Sequence, residues 1–140
     1  NKSRFLTNAE KLSHRGPDDF GTIFLKNFSA KFFRLSILDL SRLGNQPMKS
    51  KNDRFVILYN GEIYNYKLLY KYMKIEPITG SDCEVIIHLY IKYGIEQTLT
   101  MLDGVYSFIL YDNRTTFAST RKVYVARDPF GVRPLYILII

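Results

Sequence analysis

Residues 105–111, Val-Tyr-Ser-Phe-Ile-Leu-Tyr, are apolar on both faces of an extended chain, and no other run limits the possible folds as much. A strand of this kind has to be covered on each side, which demands stacked layers rather than a sheet with one wet face. The run is far shorter than the ~18 apolar residues of a membrane span, and no other stretch approaches that length. The opening NKSRFLTNAE is polar and lacks the apolar stretch of a secretion signal. A chain of 140 residues suits one core and leaves no room for a second domain of comparable size.

Around that run the periodicities alternate. Phe5, Ala9 and Leu12 recur at helical spacing, and the turn residues of HRGPDDFG (14–21) stop the helix they predict. The β-branched and aromatic stretches 21–28 and 30–40, separated by little more than Asn27 to Ser29, predict neighbouring strands. Residues 41–53 are turn chemistry, 54–60 a strand, and 64–73 a helix in which Tyr66, Leu69, Tyr72 and Met73 lie near helical spacing. A stronger helix covers 81–94, with Ser81 or Asp82 as its cap and Gly94 as its end. Two strands, 104–119 and 122–128, are expected across an Asp112–Asn113 turn, with RPLYILII (133–140) as a last strand. The order of elements is that of an α+β layered domain with two sheets and flanking helices, free of repeats and linkers.

Twenty Lys and Arg against thirteen Asp and Glu leave a net charge of +7, which raises the question of an anionic partner. The charge is scattered. Its densest stretch, YNYKLLYKYMK (64–74), reads more simply as an amphipathic helix with lysines on the wet side than as stacking rings beside phosphate-seeking lysines. Nucleic acid is therefore not an expected partner, and neither is a membrane. With one cysteine no intramolecular disulfide can form, and Cys83, His88 and the distant His14 make no zinc-type ligand set. A reducing, cytoplasmic compartment is the default, so the glycosylation-type triplets at 27–29 and 113–115 are discounted.

Chemistry concentrates at a few positions. Asn60-Gly61 after a strand is compatible with a plain type I′ hairpin, yet the following residues turn to helical spacing, which puts the pair at a strand end. There a backbone N–H and a short amide can be aimed together at a developing oxyanion. Arg34 sits within FFRLSILDL, where a guanidinium is costly unless it meets an acceptor such as Asp39. Asp82 likewise has a plainer reading, as a helix cap alone. Taken together, Arg34, Asn60, Gly61, Glu62 and Asp82 contain what a free amino acid needs: a fork for its carboxylate, acids for its ammonium, and donors for an amide oxygen.

Six ordered motifs carry a family resemblance: HRGPDDFG, RLSILDLS with GNQPM, YNGEIYNY, GSDCEVI, LDGVYSFILYD and ARDPFGVRPLY, spanning residues 14 to 136. The chain resembles the class II glutamine amidotransferase domain of the asparagine synthetase type, within the N-terminal-nucleophile hydrolase superfamily. The resemblance implies a four-layer αββα sandwich of two mostly antiparallel sheets flanked by helices, here lacking the N-terminal strand. Residues 1–140 are then an N-terminally incomplete amidotransferase domain without its synthetase domain. It further implies hydrolysis of glutamine to glutamate and delivery of ammonia to a synthetase domain or subunit, with homo-oligomers as one possible assembly. Carried over by motif, Arg34 binds the substrate carboxylate, Glu62 and Asp82 hold its α-ammonium, Asn60 and the Gly61 N–H form the oxyanion hole, and Leu35 and Ile37 line the pocket through their backbones. No cofactor is implied for this domain. ATP and Mg belong to the synthetase partner, whose SGG-x-DS-type loop does not occur here.

One departure stands beside the match. The family's nucleophile is an N-terminal cysteine whose own α-amino group is the base, whereas residue 1 here is Asn1. Cys83, interior to the chain and without an adjacent free amine, is expected to be a packing residue. Either an upstream strand carries the thiol in the natural protein, or the lineage has lost it. The chain as given is expected to be inactive, and the alternative function is a non-catalytic structural or binding domain built on the same fold.

Overall fold

Nine residues of one strand and nine of the next make the longest ladder in the molecule, and both of its faces are covered. The computed structural model describes residues 1–37, 39–114 and 120–138. In chain order the elements are α1 (Lys2–Glu10), β1 (Asp19–Leu25), β2 (Phe28–Arg34), β3 (Met48–Lys49), β4 (Phe55–Ile63), α2 (Tyr66–Met73), α3 (Glu84–Met101), β5 (Gly104–Asp112) and β6 (Lys122–Arg127). β1 and β2 form a two-stranded antiparallel sheet, and β3-β4-β5-β6 form a four-stranded antiparallel one.

Strand alternation assigns the layers. Phe55, Ile57, Tyr59 and Ile63 of β4, with Tyr106, Phe108 and Leu110 of β5, point to one side and pack against α2 and α3. Val56, Leu58 and Tyr111 point to the other side and meet Ile23, Leu25, Phe28 and Ala30 of the hairpin, where the Phe28 and Tyr111 rings stack at 4.7 Å. The remaining hairpin face carries Phe24, and Phe5 of α1 packs edge-on against it at 5.9 Å. The order of layers is therefore α1, hairpin, four-stranded sheet, α2 with α3. The expectation that 105–111 is covered on both faces holds for the reason given: both faces are predominantly apolar, and the one small polar side chain, Ser107, is itself buried.

Several boundaries differ from the sequence reading, each for a local reason. The strand expected over 30–40 ends at Arg34, where the chain turns into a loop held by the Arg34 guanidinium through the Ser41 and Asp39 carbonyls. Leu38 of that stretch lies outside the described residues. Asn60-Gly61 is neither a hairpin turn nor a strand end: β4 runs on to Ile63, with Asn60 opposite Ser107 and Gly61 opposite Tyr106. Ser81 and Asp82 do not cap α3, whose N-cap is Cys83 without a side-chain bond. Gly94 breaks the helical geometry at φ 78°, ψ 174°, as its type suggests, but a further turn follows to Met101 and closes with the Thr98 hydroxyl on the Gly94 carbonyl. β5 ends at Asp112, residues 115–119 lie outside the described residues, and residues 133–138 form no strand.

Candidate amino-acid-binding site

Arg34 and Asn60 lie on the faces that the two sheets turn towards each other, since Arg34 shares its face with Ala30 and Asn60 shares its face with Val56 and Leu58. Where apolar side chains stop filling the gap, a cavity of about 360 Å³ opens. Arg34, Leu35, Ile37, Asn60, Gly61 and Asp82 all line it. The size and the few convergent polar groups are those of a small-molecule site. Glu62 is the exception: it is exposed and does not line the cavity.

Arg34 is only 7% exposed. Nη1 donates to the Ser41 carbonyl at 2.8 Å and Nη2 to the Asp39 carbonyl, which pins the loop bearing Leu35 and Ile37. The partner residue expected from burial, Asp39, is the right one, but the acceptor is its backbone oxygen. The Asp39 carboxylate instead accepts from the Ser41 N–H at 2.8 Å and the Gly80 N–H at 2.9 Å, tying the loop to the approach to Asp82. The Ser41 hydrogen bonds, with help from Gly80 and the Arg34 charge, outweigh desolvation and hold the Asp39 carboxyl below the usual carboxylate range.

Asp82, at 3% exposure, accepts through Oδ2 from the Tyr59 hydroxyl and from the Ile63 N–H, each at 2.7 Å. Among the described residues nothing donates to its Oδ1. The cavity thus presents a fixed cation and a fixed anion, each with hydrogen-bonding capacity left over, which matches a zwitterionic ligand. Gly61 has φ 153°, and a Cβ there would sit 2.1 Å from the Val105 carbonyl oxygen. That close approach of β4 to β5 leaves no room for a side chain at residue 61.

Sequence reasoning missed three contributors, Tyr59, Gln46 and Asp128. Tyr59 and Gln46 line the cavity and are joined through the Tyr59 N–H and Gln46 Oε1 at 2.5 Å. Asp128, 1% exposed, accepts from the N–H groups of Tyr106, Phe130, Val132 and Arg133 at 3.0 to 3.2 Å, and so sets the loop that brings Arg133 and Pro134 to the cavity. Buried acceptors of this kind leave no period in a sequence. Their one sequence signal is membership of the quoted motifs: Gln46 in GNQPM, Tyr59 in YNGEIYNY and Asp128 in ARDPFGVRPLY.

Cys83 is fully buried, receives a hydrogen bond from the Ser81 hydroxyl at 3.2 Å, and lies 3.9 Å from the Met48 sulfur. It does not line the cavity. Burial pushes its thiol up to about 12, so almost none of it is thiolate near neutral pH. Among the described residues no group of three or more His, Cys, Asp or Glu can hold a metal ion, and no helix is long and apolar enough to cross a membrane.

Glu84 braces the segment leading to Asp82. Its carboxylate accepts from the Ile78 N–H, the Thr79 N–H and hydroxyl, and His88 Nε2 at 3.0 Å. Burial works against ionisation, yet the bonds from His88, Ile78 and Thr79 prevail and hold this carboxyl at about 2. A depressed folded pKa adds stability above the unfolded value, and that stability disappears as pH falls through the folded value. Glu84 is therefore expected to contribute about 2 kcal/mol that is lost between roughly pH 4.5 and pH 2. Urea midpoints measured across that range check this: Glu84→Gln flattens the acid limb, and an unchanged limb contradicts the assignment.

The fold and the paired charges define a class, and the sequence comparisons agree with it. Residues 1–139 match the family model described as a glutamine amidotransferase domain, and the chain belongs to that family. It is similar to glutamine-hydrolysing asparagine synthetases: 46% identical over 132 residues to that of Gallus gallus, 43% to that of Pongo abelii and 42% to that of Homo sapiens, in each case over 91% of this chain. The chain spans about 22% of the length of these curated relatives.

Proposed function

We propose that this domain binds L-glutamine in the Arg34–Asp82 cavity and provides the glutaminase half of an ammonia-transferring ligase. The observation that carries the reading is the pair of buried, oppositely charged groups on one cavity, each with unused donors or acceptors. Arg34 takes the α-carboxylate and Asp82 the α-ammonium. The side-chain amide then reaches the Asn60 and Gly61 wall, where the Asn60 amide and the Gly61 N–H stabilise negative charge on the amide oxygen. Glu62, exposed beside the cavity, would join Asp82 at the ammonium only by a change of rotamer.

The chemistry of the complete site is acyl transfer. A thiolate attacks the amide carbon, the carbonyl electrons move onto oxygen, and the tetrahedral adduct expels nitrogen, which takes up a proton and leaves as ammonia. Water then cleaves the γ-glutamyl thioester to glutamate and regenerates the thiol. A synthetase module of the kind found in the relatives is the natural ammonia acceptor, and ATP and Mg act there rather than in this cavity. A cytoplasmic setting fits the lone reduced thiol.

The sole thiol of the 140 residues, Cys83, is buried away from the cavity, so this chain binds glutamine without turning it over. Two measurements test this. Calorimetry is expected to show one glutamine per chain, with binding lost in Asp82→Asn; no heat from a folded sample removes the glutamine reading and leaves a structural domain. A glutaminase assay is expected to show no ammonia, and thiol-dependent release abolished by Cys83→Ser would overturn the assignment of Cys83 to packing.

A further inference from the structure

Tyr59 is absent from the residues that the motif resemblance assigns to substrate, yet it stands at the junction of three elements around the cavity. Its backbone N–H donates to Gln46 Oε1 in the loop before β3, its ring packs in the core under α2 and α3, and its hydroxyl reaches Asp82 ahead of α3. The residue is 5% exposed and lines the cavity together with Gln46 and Asp82.

Asp82 receives both of its protein hydrogen bonds on one oxygen. Tyr59 and Ile63 each donate to Oδ2 at 2.7 Å, and among the described residues Oδ1 has no partner. A carboxylate held this way cannot rotate without breaking two short bonds, and its remaining acceptor capacity is concentrated on one oxygen. Desolvation, reinforced by the adjacent Asp82 charge, pushes the Tyr59 phenol well above its ordinary value, so the hydroxyl stays a donor throughout the working pH range.

We propose that Tyr59 is a positioning residue for amino-acid recognition: by fastening Oδ2 of Asp82 it presents Oδ1 to the α-ammonium of the ligand, and so selects α-amino acids over amides that lack that group. This deepens the glutamine reading and rests on it. The role is distinct from bulk packing, because removing the phenolic oxygen leaves the ring, its neighbours and the Gln46 contact in place.

The test compares L-glutamine with 5-amino-5-oxopentanoate, which is glutamine without its α-ammonium, on the wild-type chain and on Tyr59→Phe. Calorimetry follows glutamine, and ligand-observed NMR follows the weaker analogue. Tyr59→Phe is expected to weaken glutamine about tenfold while leaving the analogue unchanged, the size expected for a bond to a charged group. Asp82→Asn, a second variant with its volume kept, is expected to show the same selectivity with a larger loss. Equal weakening of both ligands, or glutamine affinity unchanged in Tyr59→Phe, overturns the positioning role and leaves the glutamine site intact. A folded wild type that binds neither ligand overturns the glutamine reading itself, and the positioning role with it.

Discussion

Gly61→Ala lowers the melting temperature by roughly 10–15 °C, corresponding to about 4 kcal/mol in a domain of this size. Two costs add. At φ 153° an L side chain is strained, and the new Cβ falls 2.1 Å from the Val105 carbonyl oxygen and 2.6 Å from the Tyr106 Cα. Both obstacles are backbone atoms of β5, in the middle of the longest ladder, so relief requires the two central strands to separate. Gly94→Ala is the control. There φ is also positive, at 78°, but nothing lies within 4 Å of the added Cβ, so only the conformational cost of about 1–2 kcal/mol applies. Thermal denaturation of both variants checks the comparison; equal melting shifts would show that the close approach to β5 is not what matters. Any Gly61→Ala protein that folds is also expected to lose glutamine, since residue 61 lines the proposed binding cavity.

Arg34→Ala is expected to lower glutamine affinity by more than about a hundredfold. The side chain does two jobs at once. In the proposed complex its fork takes the carboxylate of the ligand, and its bonds to the Ser41 and Asp39 carbonyls hold the loop that contributes Leu35 and Ile37 to the cavity. Arg34→Lys is not a rescue, because a single ammonium cannot span two carbonyls and a carboxylate in plane. Calorimetry on both variants, with circular dichroism to confirm folding, decides the matter. Lysine restoring near-parental affinity would mean that charge alone suffices and that the loop anchoring is incidental.

Much of the architecture is legible in residue patterns because burial leaves a period. The doubly apolar run 105–111 required cover on both faces, and the alternation of β4 supplied the two surfaces that provide it. The helices α2 and α3 follow from the same logic, although on α2 the buried residues are Leu69, Tyr70 and Met73, while Tyr72 of the expected stripe is exposed. Boundaries were less legible where a tertiary contact overrides local chemistry. Asn-Gly has strong turn propensity, yet nine paired residues on β5 keep it in the ladder through Ile63. Arg34 ends β2 not because arginine breaks strands but because its donors are taken by the loop that follows.

The site divides in the same way. The sequence by itself determined which functional groups are present: a guanidinium in an apolar stretch, an Asn-Gly pair, an aspartate before a helix, and one cysteine placed inside the chain. It determined the family as well, since ordered motifs are a property of the chain. Only the tertiary structure decided which of these groups converge. It brought six of the seven expected residues to one cavity and left Glu62 outside it, enlisted Tyr59 and Gln46, and sealed Cys83 in the core. The physical reason is that identity and periodicity are local, whereas a buried polar group is defined by the partners that satisfy it, and for Asp82 those partners, Tyr59 and Ile63, lie 23 and 19 residues away along the chain.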